Sequence, residues 1–454
     1  MIISGLKTRK KLVLAFLISL VIQIILFLGF NYFNLISRIS QNSLFYEFFI
    51  NSFEPYQDYQ IWYHSFVENF IHEDWVPYSA FFPDIGDYTD YFSYLWDLLV
   101  GISQYYYIYP PFFLYIISLP GLIDINLIFI PLVISTNLLP VLIYKLLSTH
   151  FNEKIAEWGF FTTVFCPILI FYNGGLLLNT SLVTLFFIIT LYFVSLNRFK
   201  SACIFLAISF LFKQTVIFFI LPTLAYMVIQ SSKNREGKFI KNYFKDLLVF
   251  SSLILGIIFL GSLPWIIINP SGYIKCILVT GGFSFLPYFQ IPNFNSPMHW
   301  YSFLAGLNLP YWILYFIGFL TFTFIGIILI ELVVIVLLHH WHYQESLNWL
   351  KFLDIITYTA FLSHLFFPRG VYKYYFTFHI PLIIIWLSFH FKDLLGTQKS
   401  IRIKWFVYFI SITSIFLLIP RNFYLLFVWV IIILMIKKNL NMNKTYQNKI
   451  GILE

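Results

Sequence analysis

Ionisable side chains are rare in this chain, and those that could do chemistry lie at three places beside long apolar runs. Glu54 and Asp58 are close neighbours in an acidic segment. Lys213 lies between two apolar runs, and Arg369 and Lys373 lie between two others. An ionisable group at membrane depth or at the mouth of a span is costly, so each place is a candidate functional site.

Carboxylates and cations on one face of a membrane suit the transfer of a sugar from a phosphoester donor. Lys or Arg can offset the negative charge that builds on a leaving phosphate, and Arg can bind it through two parallel hydrogen bonds. A carboxylate such as Asp58 can take the proton from an attacking hydroxyl. Glu54 is a supporting candidate for the same chemistry.

Each of these residues also has a structural interpretation. An external Asp is usually a solvated side chain, and Lys213 could extend along apolar surface to the interface. Arg369 and Lys373 could bind lipid headgroups. Residues 179–181 match an N-glycosylation sequon, but the sequon abuts a span. These alternatives stay open at the level of sequence.

The composition places the chain in a membrane. Of its 454 residues, 60% are hydrophobic and only 11% are charged, whereas a soluble domain carries about 25% charge. Apolar runs of about 17–25 residues recur along the chain, and in lipid such runs must be helices, because the backbone has to satisfy its own hydrogen bonds. We predict one all-α polytopic membrane domain over residues 1–454. The predicted crossings, about twelve, are near residues 11–30, 125–145, 157–172, 176–196, 200–212, 214–230, 247–268, 312–338, 352–367, 374–391, 404–419 and 421–437.

Charge predicts which loops lie outside. Basic clusters beside apolar runs fall in the cytoplasm, and they account for the net charge of +8 without a nucleic-acid partner. Residues 31–110 hold ten of the twenty acidic residues and form a large first external loop, the catalytic one in this interpretation. Amphipathic spacing predicts surface-lying, interfacial helices in it. Residues 269–311 form a second external loop, and Asp58 and the three cations share the external face.

Several short motifs follow one another over about residues 50–385. They are Gln57-Asp58-Tyr59-Gln60-Ile61-Trp62-Tyr63, Trp75-Val76-Pro77-Tyr78, Tyr107-Ile108-Tyr109-Pro110-Pro111-Phe112-Phe113, Tyr172-Asn173-Gly174-Gly175, Phe212-Lys213-Gln214 with Leu221-Pro222, Asn293-Phe294-Asn295-Ser296-Pro297-Met298-His299-Trp300-Tyr301, and Lys373-Tyr374-Tyr375 with Ile380-Pro381. Their order and sidedness resemble the GT-C superfamily of multi-span glycosyltransferases. The most similar branch contains the GPI mannosyltransferase that adds the first mannose and related prokaryotic mannosyltransferases.

The resemblance implies a GT-C-like bundle that transfers a sugar, with mannose as the expected one, from a polyprenyl- or dolichyl-phosphate donor. The acceptor would be a hydroxyl on a glycan, lipid or protein, and the anomeric carbon would be inverted. Asp58 matches the proposed catalytic base of the family. The substrate-binding residues that we predict are Glu54, Tyr59, Lys213, Gln214, Arg369, Lys373, Tyr374, Asn295, Ser296 and Trp300.

Two points qualify the predicted site. Asn295, Ser296 and Trp300 could bind sugar hydroxyls and stack on a ring, or they could order the second external loop. The sequence has no second Asp two residues from Asp58, so an Asp-x-Asp metal site is absent from this motif. We therefore predict no required metal and no other cofactor.

Two other classes of function compete with the enzyme. A flippase or transporter of lipid-linked glycans would need ionisable groups near the middle of spans, and Glu331 in the run 312–338 is the residue that fits. A non-catalytic membrane subunit could scaffold a transferase. In every case the protein is multi-pass, in a cell membrane or, if eukaryotic, in the endoplasmic reticulum.

Overall fold

A computed structural model of the chain is helical in all its regular elements that are described. It describes residues 2–33, 47–49, 52–53, 58–59, 63–72, 109–233, 239–274, 277, 310, 312–313, 316, 348–366, 371–420 and 423–434. The helices are α1 (Ile2–Asn31), α2 (His64–His72), α3 (Pro111–Gly121), α4 (Ile130–His150), α5 (Glu153–Val164), α6 (Thr180–Ser195), α7 (Phe199–Phe212), α8 (Ile217–Lys233), α9 (Phe239–Ile268), α10 (Pro270–Ile274), α11 (Trp349–Phe366), α12 (Phe376–His390), α13 (Lys392–Thr397), α14 (Lys399–Leu418) and α15 (Phe423–Leu434). Short 3-10 turns cover Ile125–Phe129, Gln214–Val216 and Lys373–Tyr375, and a π-helical turn covers Leu169–Gly175.

Five of the described helical segments are long and apolar enough to cross a membrane. They are Lys10–Asn31, Ile125–His150, Gln214–Ser232, Lys241–Ile268 and Lys399–Leu418, and α5 with the π-helical turn makes a sixth if the bent pair is one span. The predicted class, an all-α polytopic membrane protein, is confirmed. The number of twelve crossings stays a prediction, because α3, α6, α7 and α15 are apolar but shorter. The predicted run 312–338, with Glu331, and the predicted second external loop lie largely outside the described residues.

The bundle has a buried centre and an apolar rim. Helix α6 is buried on nearly all sides and packs against α4, α7 and α12, as expected of a helix that is apolar all round. In contrast, few residues of α1, α9 and α14 are fully buried, and each of these helices carries exposed apolar side chains. An exposed apolar surface of this kind suits contact with lipid rather than water.

A break in one predicted span delivers two motif residues to the end of the bundle. Helix α5 ends at Val164, and the π-helical turn that follows is bent away from it by 60°. The Ser19 hydroxyl of α1 donates a 2.8 Å hydrogen bond to the Val164 carbonyl oxygen, which satisfies a backbone acceptor near the break. The turn contains Tyr172 and Asn173, and both side chains are buried.

The predicted first external loop, residues 31–110, contains a short amphipathic helix, as its residue spacing predicted. In α2, Phe66 and Val67 are buried, whereas Glu68 is exposed. Helix α2 packs on α3, which begins at Pro111. Gly121 makes this approach close, because a Cβ atom there would lie 2.8 Å from a methyl carbon of Val67.

Candidate functional site

Lys213 occupies the point where α7 ends, and its backbone is extended there. The chain therefore leaves the helix and turns the Lys213 side chain into the protein, where only 4% of the residue is exposed. The Lys213 Nζ donates a 3.3 Å hydrogen bond to the Asn179 Oδ1, at the start of α6. The end of one helix and the beginning of another are thus joined through an ammonium group.

Two tyrosine rings also lie against this ammonium group. The Lys213 Nζ lies 3.8 Å from the ring centroid of Tyr375 and 5.2 Å from that of Tyr374. Cations are attracted to the faces of aromatic rings. The two rings and the Asn179 amide thus hold the ammonium group at this position.

Asp58, the predicted base, lies at the same end of the bundle. The residue is half-buried, and its carboxylate is near enough to the hydroxyls of Tyr63 and Tyr374 for its charge to act on both. Burial raises the pKa of the Tyr63 hydroxyl, and the nearby Tyr109 and Asp58 raise this pKa further. Tyr374 is therefore a neighbour shared by Asp58 and Lys213.

Two hydrogen bonds tie the first external loop to the bundle beside Asp58. The Tyr63 hydroxyl accepts a 3.1 Å hydrogen bond from the backbone N–H of Asn179. The Tyr172 hydroxyl donates a 2.5 Å hydrogen bond to the carbonyl oxygen of Phe53. Because Asn179 also holds Lys213, the loop and the cation are positioned by the same residue.

A small cavity of about 30 Å³ lies against Lys213. Its lining includes Thr180, Lys213, Thr215, His364 and Tyr375. The rest of the lining is mainly apolar and comes from α6, α8, α11, α12 and Val371. We refer to this space as the Lys213 cavity.

Lys373 is placed differently from the prediction that it contacts substrate. It is fully buried, and its Nζ donates hydrogen bonds to the carbonyl oxygens of Ser52, Leu417 and Ile419, at 2.5, 2.9 and 2.7 Å. An ammonium group has three N–H donors, and three carbonyls match that number. Lys373 therefore ties together segments that are distant in sequence, which indicates a structural role, and its predicted contact with the donor stays a prediction.

The other predicted site residues fall into two groups. Tyr59 is buried against Phe27 of α1, with 5.7 Å between ring centroids, and burial raises the pKa of its hydroxyl. Gln214 is buried in the 3-10 turn after Lys213. Tyr374 is buried, and its ring lies beside the Lys213 ammonium group. The residues outside the described part of the chain are Glu54, Arg369, Asn295, Ser296 and Trp300.

Two residues of the site, Asn179 and His364, are not among those that the sequence predicted. Asn179 was matched to a glycosylation sequon, but it is buried, and so are Thr180 and Ser181. His364 lies in an apolar stretch of α11 and lines the Lys213 cavity. For both residues the available signal was a polar side chain at the end of an apolar run.

The described part of the chain brings no three His, Cys, Asp or Glu side chains together in an arrangement that could hold a metal ion. Glu54, the nearest predicted partner of Asp58, is not among the described residues. Independence from metal stays a prediction.

The fold and the site define an integral membrane protein with a carboxylate, a buried cation and a tyrosine pair at one end of a helical bundle. Residues 109–265 match the family model of dolichyl-phosphate-mannose-protein mannosyltransferases. The match covers about a third of the chain and includes Asn179 and Lys213. It supports a GT-C mannosyltransferase-like membrane glycosyltransferase, which confirms the resemblance seen in the motifs. A comparison with curated proteins found no match.

Proposed function

We propose that this protein transfers mannose from a polyprenyl- or dolichyl-phosphate donor to a hydroxyl acceptor on the non-cytoplasmic face of the membrane. The observation that carries the proposal is the convergence of Asp58 and Lys213 on Tyr374, because an anionic base and a cation then lie at one site. The family match over residues 109–265 supports the donor class. The acceptor hydroxyl belongs to a lipid, a protein or a growing glycan.

The proposed reaction is a single displacement at the anomeric carbon of the donor. The acceptor oxygen attacks that carbon, and the bond from the carbon to the phosphate oxygen breaks with its electron pair going to the phosphate. The Asp58 carboxylate takes the proton of the acceptor hydroxyl. Attack opposite the leaving group inverts the configuration, so the protein belongs with inverting hexosyltransferases.

Lys213 supplies the electrostatic part of this mechanism. The phosphate gains negative charge as the sugar leaves, and a cation that is already in place stabilises this charge more than it stabilises the intact donor. The Tyr375 ring and the Asn179 amide hold the ammonium group, so little reorganisation is needed when charge develops. Burial strengthens the interaction because water screens it less.

The experiment that tests the proposal compares Asp58→Asn with the wild-type protein. Both are purified as full chains and given radiolabelled polyprenyl-phosphate mannose and a lipid acceptor mixture. Loss of a general base lowers rates by about 10²–10⁴-fold, so transfer by the variant should fall at least 100-fold. Full transfer by Asp58→Asn would remove this residue from the mechanism.

Glu68→Gln is the matched control for that experiment. Glu68 is an exposed carboxylate of α2 in the same external loop, with its Oε2 3.8 Å from the Nδ1 of His64. Its removal also deletes one negative charge from the loop. Transfer by Glu68→Gln should equal that of the wild-type protein, which separates a role specific to Asp58 from an effect of loop charge.

A further inference from the structure

His364 is a buried side chain that the proposed mechanism does not yet use. It lies near the end of α11, it is 2% exposed, and it lines the Lys213 cavity. Neither of its ring nitrogens has a hydrogen-bond partner among the described residues. Buried polar atoms are nearly always hydrogen-bonded, so a histidine of this kind calls for a partner that enters from the cavity.

The neighbouring His379 shows what a structural histidine looks like in this bundle. Its Nε2 lies 2.6 Å from the carbonyl oxygen of Ala360, and its Nδ1 lies 3.2 Å from that of Tyr375. Both nitrogens of His379 are therefore within hydrogen-bond distance of backbone acceptors. His364 faces the same cavity without such acceptors, which distinguishes a ring that binds the protein from one that can bind a ligand.

Aromatic rings fix the orientation of His364. The ring centroid of His364 lies 4.9 Å from that of His379, 5.8 Å from that of Phe376 and 5.6 Å from that of Tyr424, each in an edge-to-face arrangement. A side chain that is held on several sides keeps its rotamer when a ligand binds. The His364 ring is thus held in one position at the wall of the cavity.

We propose that His364 binds the phosphate group of the polyprenyl-phosphate donor, through a hydrogen bond from a ring N–H to a phosphate oxygen beside the Lys213 ammonium. This inference rests on the proposed function. No proton is transferred and no covalent bond changes at His364: the ring stays neutral and donates a hydrogen bond. Lys213 supplies positive charge, and the directional hydrogen bond from His364 orients the phosphate.

Two features of the Lys213 cavity favour a phosphate over the sugar ring. Its volume of about 30 Å³ suits a group of a few atoms. A pyranose carries several hydroxyls that each need a partner, whereas much of the lining is apolar, as at Val183, Phe218 and Phe378. A single oxyanion needs only a cation and one or two donors, and Lys213 and His364 can supply these.

The test measures binding of farnesyl phosphate, a short polyprenyl phosphate, to the full-length protein by its thermal stabilisation. Farnesol, which lacks the phosphate, is the reference ligand. His364→Phe keeps an aromatic ring and removes both nitrogens, and it should raise the Kd for farnesyl phosphate about tenfold, the effect of one hydrogen bond to a charged group. His364→Gln keeps a side-chain N–H and should restore part of the affinity. His364→Leu gives the same comparison if the Phe variant does not fold.

Thr359→Val is the matched control. Thr359 is a buried polar residue of the same helix, its hydroxyl has no partner among the described residues, and it is not among the residues that line the Lys213 cavity. The Kd of Thr359→Val for farnesyl phosphate should equal the wild-type value. A general effect of α11 packing would instead raise the Kd in both Thr359→Val and His364→Phe.

Sugar transfer is assayed in parallel, so that failure of this inference and failure of the proposed function are distinguishable. If the wild-type protein binds farnesyl phosphate and transfers mannose while His364→Phe binds equally well, the role of His364 is overturned and the proposed function stands. If the wild-type protein shows neither binding nor transfer, both are overturned. A tenfold loss in His364→Phe with farnesol unaffected supports the assignment.

Discussion

Lys213 and Lys373 are two buried lysines with different contacts. The Lys373 ammonium donates to three backbone carbonyls that come from two distant segments. The Lys213 ammonium contacts one side-chain amide and two ring faces, and it lines a cavity. Both lie near the same end of the bundle, so position along the membrane does not distinguish them.

The partners of a buried cation, rather than its depth in the membrane, therefore indicate its role. Three backbone carbonyl oxygens accept hydrogen bonds from the Lys373 ammonium group, so this lysine holds distant segments together. Ring faces hold Lys213 at the wall of a cavity, a position that suits an anion that arrives and leaves. The predictions below test this division between a structural lysine and a functional one.

The largest expected effect is on stability, in Lys373→Met. The carbonyls of Ser52, Leu417 and Ile419 would lose a buried donor, and each unsatisfied acceptor costs about 1–3 kcal/mol. We expect the free energy of unfolding to fall by about 3 kcal/mol or more, measured by thermal unfolding in detergent. Lys404→Met, which changes an exposed lysine of α14, is the control. A Lys373→Met protein as stable as that control would show that the three carbonyls do not depend on Lys373.

Lys213→Met should have the opposite profile. We expect kcat/KM for mannose transfer to fall about 100-fold, the cost of losing one group that stabilises developing charge, while the thermal unfolding midpoint changes little. Lys200→Met replaces an exposed lysine at the other end of α7 and should transfer mannose normally. Loss of folding together with activity in Lys213→Met would place it with Lys373 and end the distinction.

Asn179→Asp should sharpen the role of the Lys213 charge. A carboxylate at the position of the amide would form an ion pair with the ammonium, so that less charge is left for the donor phosphate. We expect the KM for the donor to rise about tenfold. Asn179→Ser removes the amide without adding charge and should have a smaller effect. Equal KM values for the two variants would show that the amide matters only for packing.

The smallest expected effect is that of Tyr63→Phe. The change removes the hydroxyl that accepts the backbone N–H of Asn179, a hydrogen bond worth about 1 kcal/mol. Stability should fall by that amount and the KM should rise about twofold, because Asn179 is held less firmly. Tyr408→Phe, on the exposed side of α14, should change neither quantity. An unchanged Tyr63→Phe protein would show that the loop does not depend on this contact.

The sequence predicted the helical class well because hydrophobicity over about twenty residues is a strong signal in a membrane. The amphipathic helix α2 followed from the residue spacing within residues 31–110. The bend after Val164 was less accessible, since it depends on contacts such as the Ser19 hydrogen bond from another helix.

The site was predictable only in part, because its residues come from segments far apart in the chain. Charge beside apolar runs marks both Asp58 and Lys213 in the sequence, and in the structure the charge of Asp58 and the ammonium group of Lys213 both act on Tyr374. Sequence could not separate Lys213 from Lys373, because the carbonyls around Lys373 are distant along the chain. For the same reason the roles of Asn179 and His364 emerge only from the packing of α6, α11 and α12.

A double-mutant cycle for mannose transfer tests most directly whether Asp58 and Lys213 form one catalytic site. Transfer rates are measured for the wild-type protein, Asp58→Asn, Lys213→Met and the double variant. Residues that act as a unit give non-additive losses, so the double variant should be about as slow as the slower single variant. Losses that multiply in full, or normal transfer by either single variant, would contradict the account.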